Sequence, residues 1–313
     1  MVEVPKYSII APVFNEKDCI DILHKRITKV MNSTGETWEL VLVDDGSSDG
    51  STDMIRKMAK SDPHVRPVIF ARNFGHQIAV TAGLDYSRGE AVVIIDADLQ
   101  DPPEVILEMI KKWKEDFQVV YAVRAEREGE TWFKKFTASA FYRLIFKITE
   151  VKIPLDTGDF RLMDRKVVSV MNSMREHQRF LRGMSAWVGF HQVGVPYKRE
   201  ARFAGKTKYP FKKMVKLALN AIFGFSYVPL QIAMTAGFIS IFLAFLGVVA
   251  IIVLLALGIS SFLKETILLT AVFLVGGVQL VSMGILGEYI GRIYDEVKHR
   301  PLYIVAEAPD DKK

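Results

Sequence analysis

The sequence predicts an α/β fold: a mostly parallel sheet with helices on both faces, followed by a C-terminal two-helix transmembrane hairpin. Three observations carry this. Short apolar runs alternate with segments of helical period over the first 124 residues, the pattern of a parallel sheet covered on both sides. The ends of those runs gather acidic and polar residues, where ligands of such sheets bind. Two long apolar stretches then follow near the C-terminus.

The strand-like runs are "YSIIAPVF", "WELVLVDDG", "VRPVIFAR", "EAVVIIDAD" and "FQVVYAVR". Between them, "CIDILHKRITKVM" places Ile20, Leu23, Ile27 and Val30 on one helical face. "STDMIRKMAK" and "PPEVILEMIKKWKE" read the same way, the latter with prolines at a helix start. After Arg124 the alternation fails. "WFKKFTASAFYRLIFKI" and "YPFKKMVKLALNAIFGF" are aromatic-rich amphipathic segments carrying lysines. The second runs directly into an apolar stretch and reads as a helix lying in a membrane interface. For the first, an interfacial helix and an ordinary core helix remain alternatives.

Half of the 313 residues are hydrophobic. From Ser226 to Leu263 there is no charged residue, which exceeds the roughly 20 residues needed to span a bilayer core. Thr266 to Gly287 is a second run of about one span. Only "SSFLKE" joins them. The expected division is an α/β domain over 1–209, interfacial helices and linker over 210–228, two spans over 229–290 and a tail over 291–313. Basic flanks, "KYPFKKMVK" before and "GRIYDEVKHR" after, put both termini on the cytoplasmic side of a plasma membrane. The N-terminus shows no signal-peptide pattern. A single cysteine, Cys19, excludes an internal disulfide and fits a reducing compartment. The sequon at Asn32 is therefore expected to be idle.

A net charge of +5 could suggest nucleic acid. The basic residues, however, thicken around the apolar stretches, where anionic headgroups account for them. No nucleic-acid-binding motif appears. Walker A and G-x-G-x-x-G loops are also absent.

The strand ends carry the candidate chemistry. Asp96 and Asp98 stand two apart at the tip of an apolar run. On a continuing strand both would face one spot. Hard divalent cations such as Mg²⁺ or Mn²⁺ take one or two protein carboxylates and complete their shell with phosphate oxygens and water. Gln100 offers a further carbonyl oxygen, and Asp101 is placed to cap the following helix. In "DDGSSDGS", Gly46 and Gly50 permit a tight turn and Ser51 or Asp53 can cap the next helix. The turn leaves Asp44 unexplained, and Asp44 could accept hydrogen bonds from a uracil or ribose edge.

"SIIAPVFNE", "LVLVDDGSSDGS", "DADLQDPP", "PLDTGDFRLMDRKV" and "REARFAGKTKYPFKK", in that order, resemble family 2 glycosyltransferases with the GT-A fold. The last two place the chain in the branch that glycosylates polyprenyl phosphates, with dolichol-phosphate mannose synthases and bactoprenol glucosyltransferases. Similarity covers essentially the whole chain. The Q-x-x-R-W motif of processive synthases is missing, the nearest stretch being "QRFLRG".

The resemblance implies an enzyme that moves a sugar from a nucleotide donor, UDP-glucose first among the candidates, to a polyprenyl phosphate, with inversion. It implies nucleotide-sugar binding by Pro12, Phe14, Asn15, Glu16, Asp44, Asp96 and Gln100. It implies a divalent cation held by Asp96, Asp98 and Gln100, with Asp98 and Asp156 as the catalytic aspartates. Lipid-phosphate and diphosphate contacts fall to Arg124, Arg127, Arg202, Lys206 and Lys208. Asp159 is expected to pair with Arg161 as a structural residue. Gly276-Gly277 and Gly287-x-x-x-Gly291 permit the close helix contact of a homo-oligomer. GDP-mannose or an amino-arabinose nucleotide is the alternative donor. A catalytically silent membrane scaffold is the alternative of another class. A transporter is disfavoured, because uncharged spans provide no permeation path.

Overall fold

The computed structural model describes residues 4–124, 157–200, 222–223, 226, 228–258 and 261–309. These fall into two compact units, divided after Asn220 and before Arg300. The first unit contains one eight-stranded sheet in the order β7-β5-β6-β4-β1-β2-β3-β8. Its strands are β1 (Tyr7–Val13), β2 (Trp38–Asp44), β3 (Val65–Phe70), β4 (Ala91–Ile94), β5 (Val119–Arg124), β6 (Thr157–Asp164), β7 (Gln192–Tyr197) and β8 (Val305–Glu307). β6 pairs antiparallel with both β4 and β5, and β8 pairs antiparallel with β3. The other pairings are parallel. The mostly parallel sheet expected from the alternation is therefore present. Beyond the five predicted strands it gains three, each short or drawn from sequence without clean alternation.

The helices are α1 (Lys17–Asn32), α2 (Ser51–Ser61), α3 (His76–Tyr86), α4 (Val105–Lys114), α5 (Arg165–Ser173) and α6 (Leu181–Trp187). Side chains alternate across a strand. Tyr7, Ile9, Ala11 and Val13 accordingly share one core with α1, α4 and Ile55 of α2. The four positions expected to face the core from α1 are all buried. Ile10 points the other way, towards α3. A Cβ on Gly83 of α3 would clash with the Ile10 side chain, so glycine sets how closely this helix lies on the sheet.

One polar network sits inside this fold, on the same β1–β2 register that pairs Ser8 with Glu39. Glu39 accepts from Ser8 Oγ (2.6 Å), Arg66 (2.9 Å) and both the backbone and side chain of Arg88 (2.7 and 2.9 Å). Burial opposes the charge, but these donors and the Arg66 charge hold the Glu39 carboxyl below its ordinary value. Its stabilising contribution is thus present above the ordinary glutamate pKa and is lost as pH falls through the lowered value. Glu39→Gln should flatten the acid limb of stability below about pH 4.5. Melting temperature measured against pH checks this; an unchanged acid limb would refute the assignment.

The second unit holds two long helices, α7 (Val228–Ala256) and α8 (Ser261–Val297). Each contains a segment long and apolar enough to cross a membrane: Val228–Leu254 with mean hydropathy 2.9, and Ile267–Val297 with mean hydropathy 2.0. Their large apolar side chains face outward, with Phe273 72% and Leu280 74% exposed. A helix of a soluble core would bury such a surface. The junction differs from the expected "SSFLKE". The turn falls at Leu257–Gly258, and Ser261–Glu265 already belongs to α8. α8 also runs past 291, so the expected tail begins as helix. From Arg300 the chain belongs to the first unit again.

Candidate active site

Parallel strands end on one edge, and an antiparallel strand among them begins there. The ends of β1, β2, β4, β5 and β7 and the start of β6 therefore converge. The register records this: Val13 lies opposite Asp44, Arg124 opposite Tyr197 and Val123 opposite Thr157.

The first two loops lock into each other. Pro12 is buried within β1, whereas Phe14 is 37% exposed. Asn15 adopts a left-handed backbone (φ 53°). Its side-chain oxygen accepts from Ser48 N (2.8 Å), and its own N–H donates to Ser47 Oγ (2.9 Å). Glu16 caps α1 in position only, its N–H donating to Ser51 Oγ (3.2 Å). The helix caps expected from Ser51 or Asp53 come from elsewhere. Asp49 accepts from the N–H of Ser51 (2.9 Å) and of Lys17 (3.1 Å), so one carboxylate serves the first turns of α2 and α1.

Asp44 is fully buried. It accepts from Ser47 N (3.0 Å) and Thr52 Oγ (2.5 Å), which makes it a holder of the turn. Its neighbour Asp45 accepts from the N–H groups of Phe74 (2.6 Å) and Gly75 (3.0 Å) and from Asn73 Nδ2 (2.9 Å). Asp45 thereby fixes the loop from β3 to α3. Gly46 makes the approach possible: a Cβ there would stand 2.7 Å from the backbone of Arg72 and Asn73, at φ +71°. Gly46→Ala should cost about 1–3 kcal/mol through combined strain and clash. A thermal melt indistinguishable from the parent's would contradict this close approach.

The acidic turn differs from the sequence expectation in one respect. β4 stops at Ile94, and Asp96 and Asp98 lie beyond it, Asp98 within a turn. Their relative orientation is set by that turn rather than by strand alternation. Buried Leu99 takes a left-handed conformation (φ 59°), a strain of order 1–3 kcal/mol for such a residue. Gln100 N–H donates to Asp98 Oδ1 (3.1 Å). Asp101 does not cap α4. It is buried, accepts from Tyr197 Oη (2.5 Å) and lies 3.6 Å from Arg199.

Asp96 meets a partner that the sequence left unread. His76 opens α3, with Nε2 3.1 Å from Asp159 and 3.6 Å from Asp96. Asp159 also accepts from Gln77 (2.9 Å) and from Arg182 (2.7 Å). Its side-chain partner is thus Arg182, not the expected Arg161. Arg161 instead binds the carbonyl of Gly158 (2.9 Å) and Ser185 Oγ. Burial opposes the Asp159 charge, yet Arg182 and His76 hold that carboxyl well below its usual range. His76, despite burial, is raised to about 9 by Asp96 and Asp159. Asp96 is pushed up to about 6, by burial first and then by Asp101, Asp159 and Asp98, against the pull of His76.

Burial and the neighbouring carboxylates therefore oppose ionisation of Asp96, and positive charge at the site would favour it. Its Oδ1 is buried without a hydrogen-bond partner among the described residues. A divalent cation fits such an oxygen. No complete set of three His, Cys, Asp or Glu ligands forms among the described residues, so a cation here would draw its remaining ligands from phosphate and water.

Arg124 closes the edge. Its Nη2 would stand 3.3 Å from a Cβ on Gly158, and its charge acts on both Asp101 and Tyr197. Its Nε, like that of Arg199, is buried without a hydrogen-bond partner among the described residues. Of the expected site residues, the edge gathers Phe14, Asn15, Glu16, Asp96, Asp98, Gln100 and Arg124. Asp156, Arg127, Arg202, Lys206 and Lys208 lie outside the described residues, as do the two amphipathic segments. Sequence reasoning passed over His76, Gln77, Asp45, Arg182 and Arg199. The "NFGHQ" loop between a strand and a run of small apolar residues is the signal that could have found the first two.

Residues 8–171, just over half the chain, match the family described as Glycosyl transferase family 2. A Bacillus subtilis protein named "Uncharacterized glycosyltransferase YkcC" is 51% identical over 303 residues, covering 97% of this chain and 94% of its own. The "Bactoprenol glucosyl transferase" of Shigella phage SfV is 42% identical, covering 96% and 98% respectively. Among solved structures, glucosyl-3-phosphoglycerate synthase from Mycobacterium tuberculosis is similar at TM-score 0.47 and 19% identity, covering 70% of this chain and 78% of its own. By the family match and by relatives of this identity and coverage, the chain belongs to glycosyltransferase family 2.

Proposed function

We propose that this protein is a membrane-bound, inverting, metal-dependent glycosyltransferase that moves a sugar, glucose from UDP-glucose, onto undecaprenyl phosphate at the cytoplasmic face. The observation that carries the reading is Asp96. Its Oδ1 is buried, accepts no hydrogen bond among the described residues and lies 3.6 Å from His76, in a chain that also holds two helices of membrane-spanning length. The name of the 42% identical relative supports a bactoprenol-type acceptor and a glucosyl donor.

A lipid monophosphate is largely dianionic at neutral pH, so it needs positioning more than deprotonation. One phosphate oxygen attacks the anomeric carbon and forms the new C–O bond. The bond from that carbon to the nucleoside diphosphate breaks, and the electron pair leaves with the diphosphate. Asp96, Asp98 and Gln100 would hold a divalent cation, which when bound neutralises the leaving diphosphate. Arg124, with Arg127, Arg202, Lys206 and Lys208, would counter the charge of two phosphates brought together. Phe14, Asn15 and Glu16 would line the nucleotide end. Asp156 would orient the acceptor, so Asp156→Asn should lower turnover while donor affinity stays intact. Donor affinity lost in that variant would move Asp156 to the other subsite.

β8 follows both long helices in sequence yet completes the sheet built by β1 to β7. This supports a hairpin that leaves and returns on one side, and the basic flanks make that side cytoplasmic. A homo-oligomer packed through Gly276, Gly277, Gly287 and Gly291 belongs to the same proposal; each would leave a Cβ without a neighbour within 4 Å in one chain.

The test is direct. Purified protein in detergent, undecaprenyl phosphate and Mg²⁺ or Mn²⁺ are offered labelled UDP- and GDP-sugars, and label is followed into the organic phase. Transfer from UDP-glucose is expected. Transfer from GDP-mannose or an amino-arabinose nucleotide instead would keep the reaction and change the donor. Absence of transfer, with nucleotide still bound, would favour a silent scaffold.

A further inference from the structure

We propose that Tyr303, on the segment that re-enters the first unit after the second long helix, is a positioning residue for the acidic site, acting by clamping both ends of α3. This rests on the reading of that site as the donor site. α3 is the element that carries His76 and Gln77 to Asp159 and Asp96. Small shifts of its first turn therefore change the distances within the acidic cluster.

Tyr303 reaches α3 from two directions. Its ring stacks on Phe70 of β3, with centroids 5.2 Å apart and planes 16° from parallel. Phe70 in turn meets the edge of Phe74 at 5.5 Å and 85°. Phe74 and Gly75 are the residues whose N–H groups Asp45 holds, one step before His76. At the other end of the helix, the Tyr303 hydroxyl donates to Asp85 (2.6 Å), which Arg175 also binds at 2.9 Å. Asp85 is the penultimate residue of α3. One side chain thus braces the approach to the helix and its far end.

The segment is itself well seated. Ala71 N–H donates to the carbonyl of Ile304 (3.0 Å), which continues the β3–β8 pairing into the loop that leads to His76. Arg56 grips Glu307 with two hydrogen bonds, and His177 Nε2 lies 2.9 Å from the Arg300 carbonyl oxygen. α3 has little freedom to settle elsewhere on the sheet, because Gly83 already lies against Ile10. Loss of the clamp is then felt at the first turn of the helix, whose leading N–H groups have no partner within the helix.

Four proteins are compared: the parent, Tyr303→Leu, Tyr303→Phe and Asp98→Ala. Kinetic constants are measured per folded molecule with UDP-glucose and undecaprenyl phosphate, or with whichever donor the panel selects. Amide hydrogen exchange is followed over residues 72–80. Tyr303→Leu should lower kcat/KM for the donor about tenfold, the scale of a sub-ångström misplacement, and leave the acceptor KM unchanged. The amides of Phe74 to Gln77 should exchange faster in it. Tyr303→Phe keeps the stack and should fall about threefold. Its value covers the case in which the leucine variant does not fold. Parent-like constants in both Tyr303 variants, with only a lower melting temperature, would overturn the proposal. So would unchanged exchange over 74–77, a readout that needs no activity. Activity surviving in Asp98→Ala would count against the donor-site reading instead, and the exchange result would then still decide whether Tyr303 clamps α3.

Discussion

Asp98→Ala is expected to reduce sugar transfer by about 10³-fold, equivalent to roughly 4 kcal/mol of transition-state stabilisation. The reason is electrostatic. Asp96 is pushed up to about 6 by burial first and then by neighbouring carboxylates, against the pull of His76, so further positive charge at the site would favour its ionised form. With Asp98 gone, a cation would lose a second protein oxygen and with it much of its hold on the diphosphate. Asp98→Asn is the folding control, since its amide oxygen can still accept from Gln100 N–H as Asp98 Oδ1 does at 3.1 Å. Both variants should melt near the parent and both should be nearly inactive. EDTA should silence the parent and leave the residual rate of the variants unchanged. Substantial transfer by Asp98→Ala in the presence of EDTA would sink the metal assignment.

Asp159→Ala should produce the largest loss of stability, about 3–5 kcal/mol, because it strands cations that its carboxylate now satisfies. Asp159 is 6% exposed and binds Arg182 at 2.7 Å, Gln77 at 2.9 Å and His76 at 3.1 Å. Beside it lies Arg161, 4% exposed and held to about 10 by burial first, against the pull of Asp159. Removing the carboxylate leaves Arg182 and Arg161 facing each other without their shared counter-charge. The melting temperature in detergent should fall by about 10 °C. Removing Arg182 as well should restore part of the loss, since the two effects share one contact. Additive losses in the double variant, or a single-variant loss under about 1 kcal/mol, would show that Asp159 is not the hub of this cluster.

The sheet was legible where burial leaves a simple mark. β1, β2, β3, β4 and β5 all fall inside apolar runs, and α1 buries the four residues its period selects. α3 was not legible. It buries Ala79, Val80, Thr81, Ala82, Gly83 and Leu84 in succession, so it has no polar face to create a period. Missing α3 meant missing His76. β6 was unread for a related reason: it lies between β4 and β5 and is buried along nearly its whole length, including Asp159 and Arg161. Charged residues there resemble a surface until their partners are known.

At the site, the acidic tip "DADLQD" stood out by composition alone, but the division of labour within it was hidden. Asp44 and Asp101 look as available as Asp96, yet each is engaged by neighbours distant in sequence or by its own turn. Hydrogen bonds between separate loops carry no local signature.

By itself, then, the sequence determined the α/β class, the two long apolar helices, the edge on which polar residues gather and the family. All of these follow from hydrophobic period, run length and ordered motifs, which are properties of neighbours along the chain. The tertiary structure alone decided that Asp96 Oδ1 accepts no hydrogen bond among the described residues and that His76 and Arg182 meet at Asp159. It alone decided that Tyr303, beyond the second long helix, returns to brace α3. Those facts depend on which strands lie side by side, and burial makes charges sensitive to partners brought from far away in sequence.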